Sequence, residues 1–177
     1  MIEYERTFLL NELPKEIKYC KNKKEIIDIY IPKENEHPNL RIRKNGEVYE
    51  ITKKSPVNGD SASIQKEHTI KITKEEFNSL EKLEGKILRK IRYYLKINGK
   101  KCEVDIFLDK LEGLALIDFE FKNKEEKENF RIPDFCLADV TEEEFIAGGK
   151  LAGKSFGDIK EDLKKYSYKM INIDFLK

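Results

Sequence analysis

"IEYERTF" spans residues 2–8 and sets the reading of the whole chain. Glu3 and Glu5 lie two residues apart among Ile2, Tyr4 and Phe8. Successive side chains on a β-strand point to opposite faces, so the two carboxylates share one face and leave the other apolar. A single strand of this kind is an ordinary half-solvated strand. The pattern recurs, however. Arg41 and Arg43 flank Ile42, Lys90 and Arg92 flank Ile91, Glu103 and Asp105 flank Val104, and Asp118 and Glu120 flank Phe119. Thr52 and Lys54 form a weaker pair. Along the chain the pairs run acidic, basic, basic, acidic, acidic. Like charges side by side on a sheet repel, and solvated faces usually mix signs to soften this. The residues between the charges are apolar and need cover. A mainly β, α+β fold meets both demands: an eight-stranded antiparallel barrel with a charged lumen and helices packed outside.

The length of 177 residues suits a single domain over 1–177. Charged residues make up 39% of the chain, against about 25% in ordinary globular chains, yet 35 basic and 34 acidic residues leave a net charge of +1. That balance argues against a DNA-binding surface, which carries a basic excess, so the position of each charge must decide. Cys20, Cys102 and Cys136 have no metal-like spacing. Their odd number, with no secretory leader, points to the reducing cytoplasm. No run approaches the roughly 18 apolar residues of a membrane span. His37 and His68 are far apart and read as surface residues.

Strand-like alternation places strands near 2–9, 25–31, 39–45, 47–54, 63–72, 87–97, 101–109 and 115–122. Asn-Gly in "KNGEVYE" (44–50) and "INGKKCE" (97–103) marks hairpin turns. Thr73 with Glu76 forms a capping box opening a helix over 73–83. Shorter helices are expected over 13–20 and 141–152, the latter capped by Thr141, and the tail 158–174 is expected to be helical. "SPVNGDSAS" (55–63) is a polar loop.

A face gathering Arg and Lys suits phosphate oxygens, which fit arginine bidentately and lysine as a point charge. Clustered Asp and Glu suit hard divalent cations such as Mg²⁺ or Mn²⁺. A polyanion bound with such a cation engages both signs, and the chemistry implied is phosphoryl or nucleotidyl transfer.

Seven stretches in order, from residue 2 to residue 152, resemble the CYTH domain, or triphosphate tunnel metalloenzyme, family. They are "IEYERTF" (2–8), "LRIRK" (40–44), "ITKK" (51–54), "LRKIRYYL" (88–95), "CEVDIF" (102–107), "GLALIDFEF" (113–121) and "DVTEEEFIAGGKLA" (139–152). The resemblance implies a tunnel barrel acting on a triphosphate-containing small molecule: inorganic tripolyphosphate, thiamine triphosphate, a nucleoside triphosphate or the triphosphate end of RNA. It implies phosphate binding by Arg41, Arg43, Lys54, Lys90 and Arg92. It implies Mg²⁺ or Mn²⁺ on Glu3, Glu5, Asp118 and Glu120, with Glu103 and Asp105 on the acidic side and Glu67 in support. Tyr30 matches the tyrosine beside the opening motif's lysine, which helps orient or activate the attacking water, so Tyr30 and Thr7, at the lysine's position, are the candidate catalytic residues.

Thr7 stands where the family's opening motif has lysine, Thr69 where an acid follows Glu67, and Gly148-Gly149 where a polar pair is usual. Thr7 cannot carry the lysine's charge beside Tyr30. The leading reading is a metal-dependent triphosphatase. Two alternatives stand beside it: a CYTH-type adenylyl cyclase making cyclic AMP, and a non-catalytic polyphosphate or nucleotide binding module. A homodimer is an option the sequence leaves open.

Overall fold

The structure, a computed structural model, describes residues 4–56 and 65–174. Glu3 and residues 57–63 of the polar loop lie outside the described residues. Among these residues nine strands form: β1 (Tyr4–Leu10), β2 (Lys23–Ile31), β3 (Leu40–Asn45), β4 (Val48–Pro56), β5 (Gln65–Ile72), β6 (Lys86–Ile97), β7 (Lys100–Phe107), β8 (Ala115–Phe121) and β9 (Cys136–Asp139). They are hydrogen-bonded in the order β5-β4-β3-β2-β6-β7-β8-β1-β9 in a mainly antiparallel-β fold. The eight expected strands are present, and the ninth, β9, corrects the count. Four short α-helices accompany them among the described residues: α1 (Lys74–Leu80), α2 (Lys124–Glu128), α3 (Gly148–Leu151) and α4 (Lys160–Lys164). None of the described helices is long and apolar enough to cross a membrane.

The chain divides into two compact units, Met1–Lys24 with Ile91–Thr141 and Ser155–Lys177, and Glu25–Lys90 with Glu142–Lys154. In the first unit β1 pairs with β8, placing Thr7 opposite Asp118 and Glu5 opposite Glu120. β7 pairs with the other edge of β8, placing Glu103 opposite Asp118. The alternate residues Phe8, Val104, Ile106, Ile117 and Phe119 are fully buried on the other face. Ile17, Phe130, Ile171 and Ile173 cover them. Phe130 meets Phe119 at 4.6 Å and Phe121 at 5.0 Å between ring centroids.

In the second unit β2, β3, β4 and β5 pair in turn. Tyr30 stands opposite Arg41, Arg41 opposite Thr52 and Lys54 opposite Glu67. The alternate residues Ile29, Ile42 and Tyr49 form the apolar face, covered by Phe77 and Leu80 of α1. Helix α1 begins as expected: Thr73 Oγ1 accepts from the Glu76 amide, and Glu76 accepts from the Thr73 amide.

Three helical expectations need correction. The stretch 13–20 forms a 3-10 turn, Lys15–Tyr19, after Pro14. The helix expected over 141–152 breaks into a 3-10 turn (Glu144–Ile146) and α3. Its supposed cap, Thr141, is engaged elsewhere: its hydroxyl donates to Asp139 and accepts from the Thr7 amide at 3.1 Å. The tail is helical only through Lys164. Ser167 turns it at φ +56°, after which Ile171 and Ile173 alternate into the core and the Ile171 amide donates to the Gly113 carbonyl at 2.9 Å.

Phe77 is 3% exposed and lies 5.2 Å from Tyr49 between ring centroids. Phe77→Ala is expected to lower stability by about 3–4 kcal/mol in urea denaturation, through lost burial and the cavity left behind. A loss below about 1 kcal/mol, the level of surface substitutions, would contradict the placement of α1 over this face.

Candidate functional site

The strand alternation sorts charge within each unit. In the second unit Asp28 and Tyr30 of β2, Arg41 and Arg43 of β3, Thr52 and Lys54 of β4, Glu67 and Thr69 of β5 and Lys90 of β6 occupy one face. Asp28 is only 1% exposed, Thr52 2%, and Tyr30 and Lys90 7% each. Arg43 grips Asp28 with both arms of its fork, Nε to Oδ1 at 2.6 Å and Nη2 to Oδ2 at 2.7 Å. Burial alone would raise the Asp28 pKa. The Arg43 hydrogen bonds and charge, with Arg41 and Lys90 nearby, outweigh it and hold the carboxyl below its usual range.

Lys54 Nζ lies 3.4 Å from Glu67. Thr69 donates its hydroxyl to Glu67 at 2.9 Å, so Thr52, 2.9 Å from Thr69, is the donor in that second bond. Thr69 therefore does not act as a second acid but orients Glu67, whose pKa falls because that bond, Lys54 and Arg41 outweigh burial. Arg41 differs from its neighbours: its Nε is buried and has no hydrogen-bond partner among the described residues. Tyr30 has its pKa raised, first by burial and then by the Asp28 charge, against the opposing pull of Arg41. The phenol is thus a neutral hydroxyl at neutral pH. His37 and His68 are exposed, as read from the sequence.

In the first unit the face carries Glu5 and Thr7 of β1, Arg92 of β6, Glu103 and Asp105 of β7, and Asp118 and Glu120 of β8. Arg92 belongs to this acidic face. It donates to Asp105 through Nε and Nη2 at 2.7 Å each, contacts Glu103, and lies 4.0 Å from Asp118. Burial works against the guanidinium charge, but the three carboxylates prevail and raise its pKa. Thr7, 9% exposed, donates its hydroxyl to Asp118 at 2.6 Å. Arg6, on the opposite face of β1, binds Asp139 through Nε and Nη2 at 2.9 and 2.7 Å and fastens the strand.

No three His, Cys, Asp or Glu side chains converge in a metal-holding group among the described residues. The acids of this face are nonetheless of the type hard divalent cations take, whose ligands are carboxylate oxygens. Glu5 stands opposite Glu120 in the pairing of β1 with β8.

Two features escaped the sequence reading. Asp28 has no like-charged partner two residues away, so the pair search passed over it. Its signal is a lone acid inside "IIDIYI" (26–31), where a carboxylate in an apolar strand must be paired. The Arg6–Asp139–Thr141 network had no local pattern, because Arg6 lies 133 residues from Asp139.

Asp28→Asn is expected to cost about 3 kcal/mol or more at pH 7, because it leaves Arg43 buried without its counter-charge. Since the folded-state pKa is depressed, the wild-type advantage is fully present above about pH 5 and is lost as pH falls through the unfolded value of about 3.9 toward the folded one. Urea denaturation at pH 7, 4 and 3 reads this. An advantage that grows on acidification would contradict the pairing.

The CYTH domain profile matches residues 1–142. The inorganic triphosphatase of Nitrosomonas europaea is 30% identical over 115 residues, covering 64% of this chain and 74% of that protein. A solved inorganic triphosphatase superposes with a TM-score of 0.65 at 25% identity, over 87% of this chain and 96% of that one. A solved protein of Bacillus halodurans shares the fold, with a TM-score of 0.52 at 16% identity over 98% and 94% of the two chains. By the extent of the family match and by these relatives, the chain belongs to the CYTH domain family.

Proposed function

We propose that the protein is a divalent-metal-dependent hydrolase of triphosphate compounds, with inorganic tripolyphosphate as the first substrate to test. The observation that carries this reading is Arg41: a buried guanidinium nitrogen with no hydrogen-bond partner among the described residues, on a face with Arg43, Lys54 and Lys90. Such a nitrogen costs free energy unless an acceptor meets it, and phosphate oxygens are the acceptors a guanidinium matches best. The inorganic triphosphatase relatives point to the same substrate class.

In this reading Arg41, Arg43, Lys54 and Lys90 bind and orient phosphate oxygens, while Asp28 and Glu67 hold the forks and ammonium groups in place. Tyr30 supplies a neutral hydroxyl that hydrogen-bonds the attacking water. Glu5, Asp118 and Glu120, with Glu3, hold Mg²⁺ or Mn²⁺. Glu103 and Asp105 keep Arg92 ordered on that face. The bound cation supplies neutralisation of phosphate charge. Thr7 has its hydroxyl hydrogen committed to Asp118, so it shapes the acid face and does not deliver charge to the reaction.

The test is a panel: tripolyphosphate, thiamine triphosphate, ATP and GTP with Mg²⁺ or Mn²⁺, following phosphate, pyrophosphate and cyclic nucleotide. The expected outcome is phosphate release from tripolyphosphate that a chelator abolishes and either cation restores. Pyrophosphate with cyclic AMP from ATP would instead establish a cyclase. Tight tripolyphosphate binding with no product would establish a binding module, and either outcome overturns the hydrolase.

A further inference from the structure

Gly148 opens α3, and its φ lies outside the left-handed region, so its backbone conformation is open to any L residue. Alanine would be the better helix former there. What excludes a side chain is Tyr30. A Cβ built at position 148 falls 2.2 Å from Tyr30 Oη and 3.2 Å from Cζ of the same ring. Tyr30 is 7% exposed and cannot swing into water to make room.

The turn cannot retreat either. Gly149 is buried on its other side, where a built Cβ would meet His37 Cδ2 at 2.7 Å and the Pro38 carbonyl oxygen at 3.0 Å. Backbone bonds close the turn, with Lys150 and Leu151 amides donating to the Ala147 carbonyl at 2.8 and 2.9 Å. The bare Cα of Gly148 is therefore a wall against which the phenol hydroxyl is seated, with Arg41 as that hydroxyl's hydrogen-bonding neighbour.

We propose that Gly148 is a positioning residue: by lacking a side chain it sets where the Tyr30 hydroxyl stands on the cationic face. The functional part of this inference rests on the hydrolase reading above. The contact itself does not. A methyl group at 148 must push Oη from 2.2 Å to ordinary contact, a displacement of about 1 Å, which is enough to cost about 10²-fold in a positioned reaction.

The experiment is a double-mutant cycle of wild type, Gly148→Ala, Tyr30→Phe and the double variant. Phe keeps the ring and removes only Oη, which leaves the milder 3.2 Å ring contact. Melting temperature is measured without ligand, and kcat and KM are measured on tripolyphosphate with Mn²⁺. Gly148→Ala is expected to lower the melting temperature by about 5 °C in the wild-type background. In the Tyr30→Phe background it should leave it unchanged or raise it, since the helix preference of alanine then acts unopposed. Turnover should fall by about 10–100-fold with KM changed less than about 3-fold, and the double variant should be no slower than Tyr30→Phe. Equal melting losses in both backgrounds would overturn the proposal. So would a wild-type kcat in Gly148→Ala when Tyr30→Phe is slow. If the wild type itself turns over no tripolyphosphate, the hydrolase reading fails, and the melting cycle alone decides whether Gly148 positions Tyr30.

Discussion

Two buried aspartates, each closed in an arginine fork, are the constraint from which both charged faces are built. Asp28 is 1% exposed and Asp105 2%. Arg43 meets the first at 2.6 and 2.7 Å, and Arg92 meets the second at 2.7 Å through both nitrogens. An unpaired charge in either place would be expensive, about 3–5 kcal/mol when a partner is removed. An exposed pair such as Lys33–Glu84, at 3.7 Å, contributes about 0–1 kcal/mol. The two forks therefore fix where the other charged side chains of their strands stand, and the many surface pairs do not.

The same device yields faces of opposite sign. In the second unit Asp28 satisfies Arg43, while Arg41 keeps a buried nitrogen without a partner among the described residues and Lys90 lies buried beside them. The face is left with a demand for acceptor oxygens. In the first unit Arg92 is one cation among Glu103, Asp105 and Asp118, with Glu5 and Glu120 opposite one another on β1 and β8. Carboxylates predominate on that face, and carboxylate oxygens are the ligands that hard cations take. The face of the second unit thus suits an anion and that of the first a hard cation.

Most of this was legible because a strand has a period of two. Arg41 with Arg43, Glu103 with Asp105, and Asp118 with Glu120 announce a face without any knowledge of pairing, and Ile42, Val104 and Phe119 announce its reverse, each fully buried. What depended on distant partners was not legible. Arg92 reads as the companion of Lys90, yet its neighbours on β7 and β8 place it among acids. Thr141 reads as a helix cap because its local sequence suits one, yet its hydroxyl is engaged by Asp139 and the Thr7 amide. β9 is only four residues long, too short for alternation to register, and it exists because β1 offers it an edge. The glycine pair at 148–149 reads only as a departure from the family's polar pair, whereas close contact with Tyr30, His37 and the Pro38 carbonyl is what denies it side chains.

The central claim is that the cationic face is built to receive phosphate oxygens, with Arg41 holding the least satisfied donor. Titration calorimetry of tripolyphosphate into chelator-treated wild-type protein and Arg41→Ala tests it without depending on turnover or metal. The expected result is saturable one-to-one binding by the wild type, weakened about 10–100-fold in the variant, the scale of hydrogen bonds to a charged group. Equal affinity in the two proteins, or no saturable binding by the wild type, would contradict it.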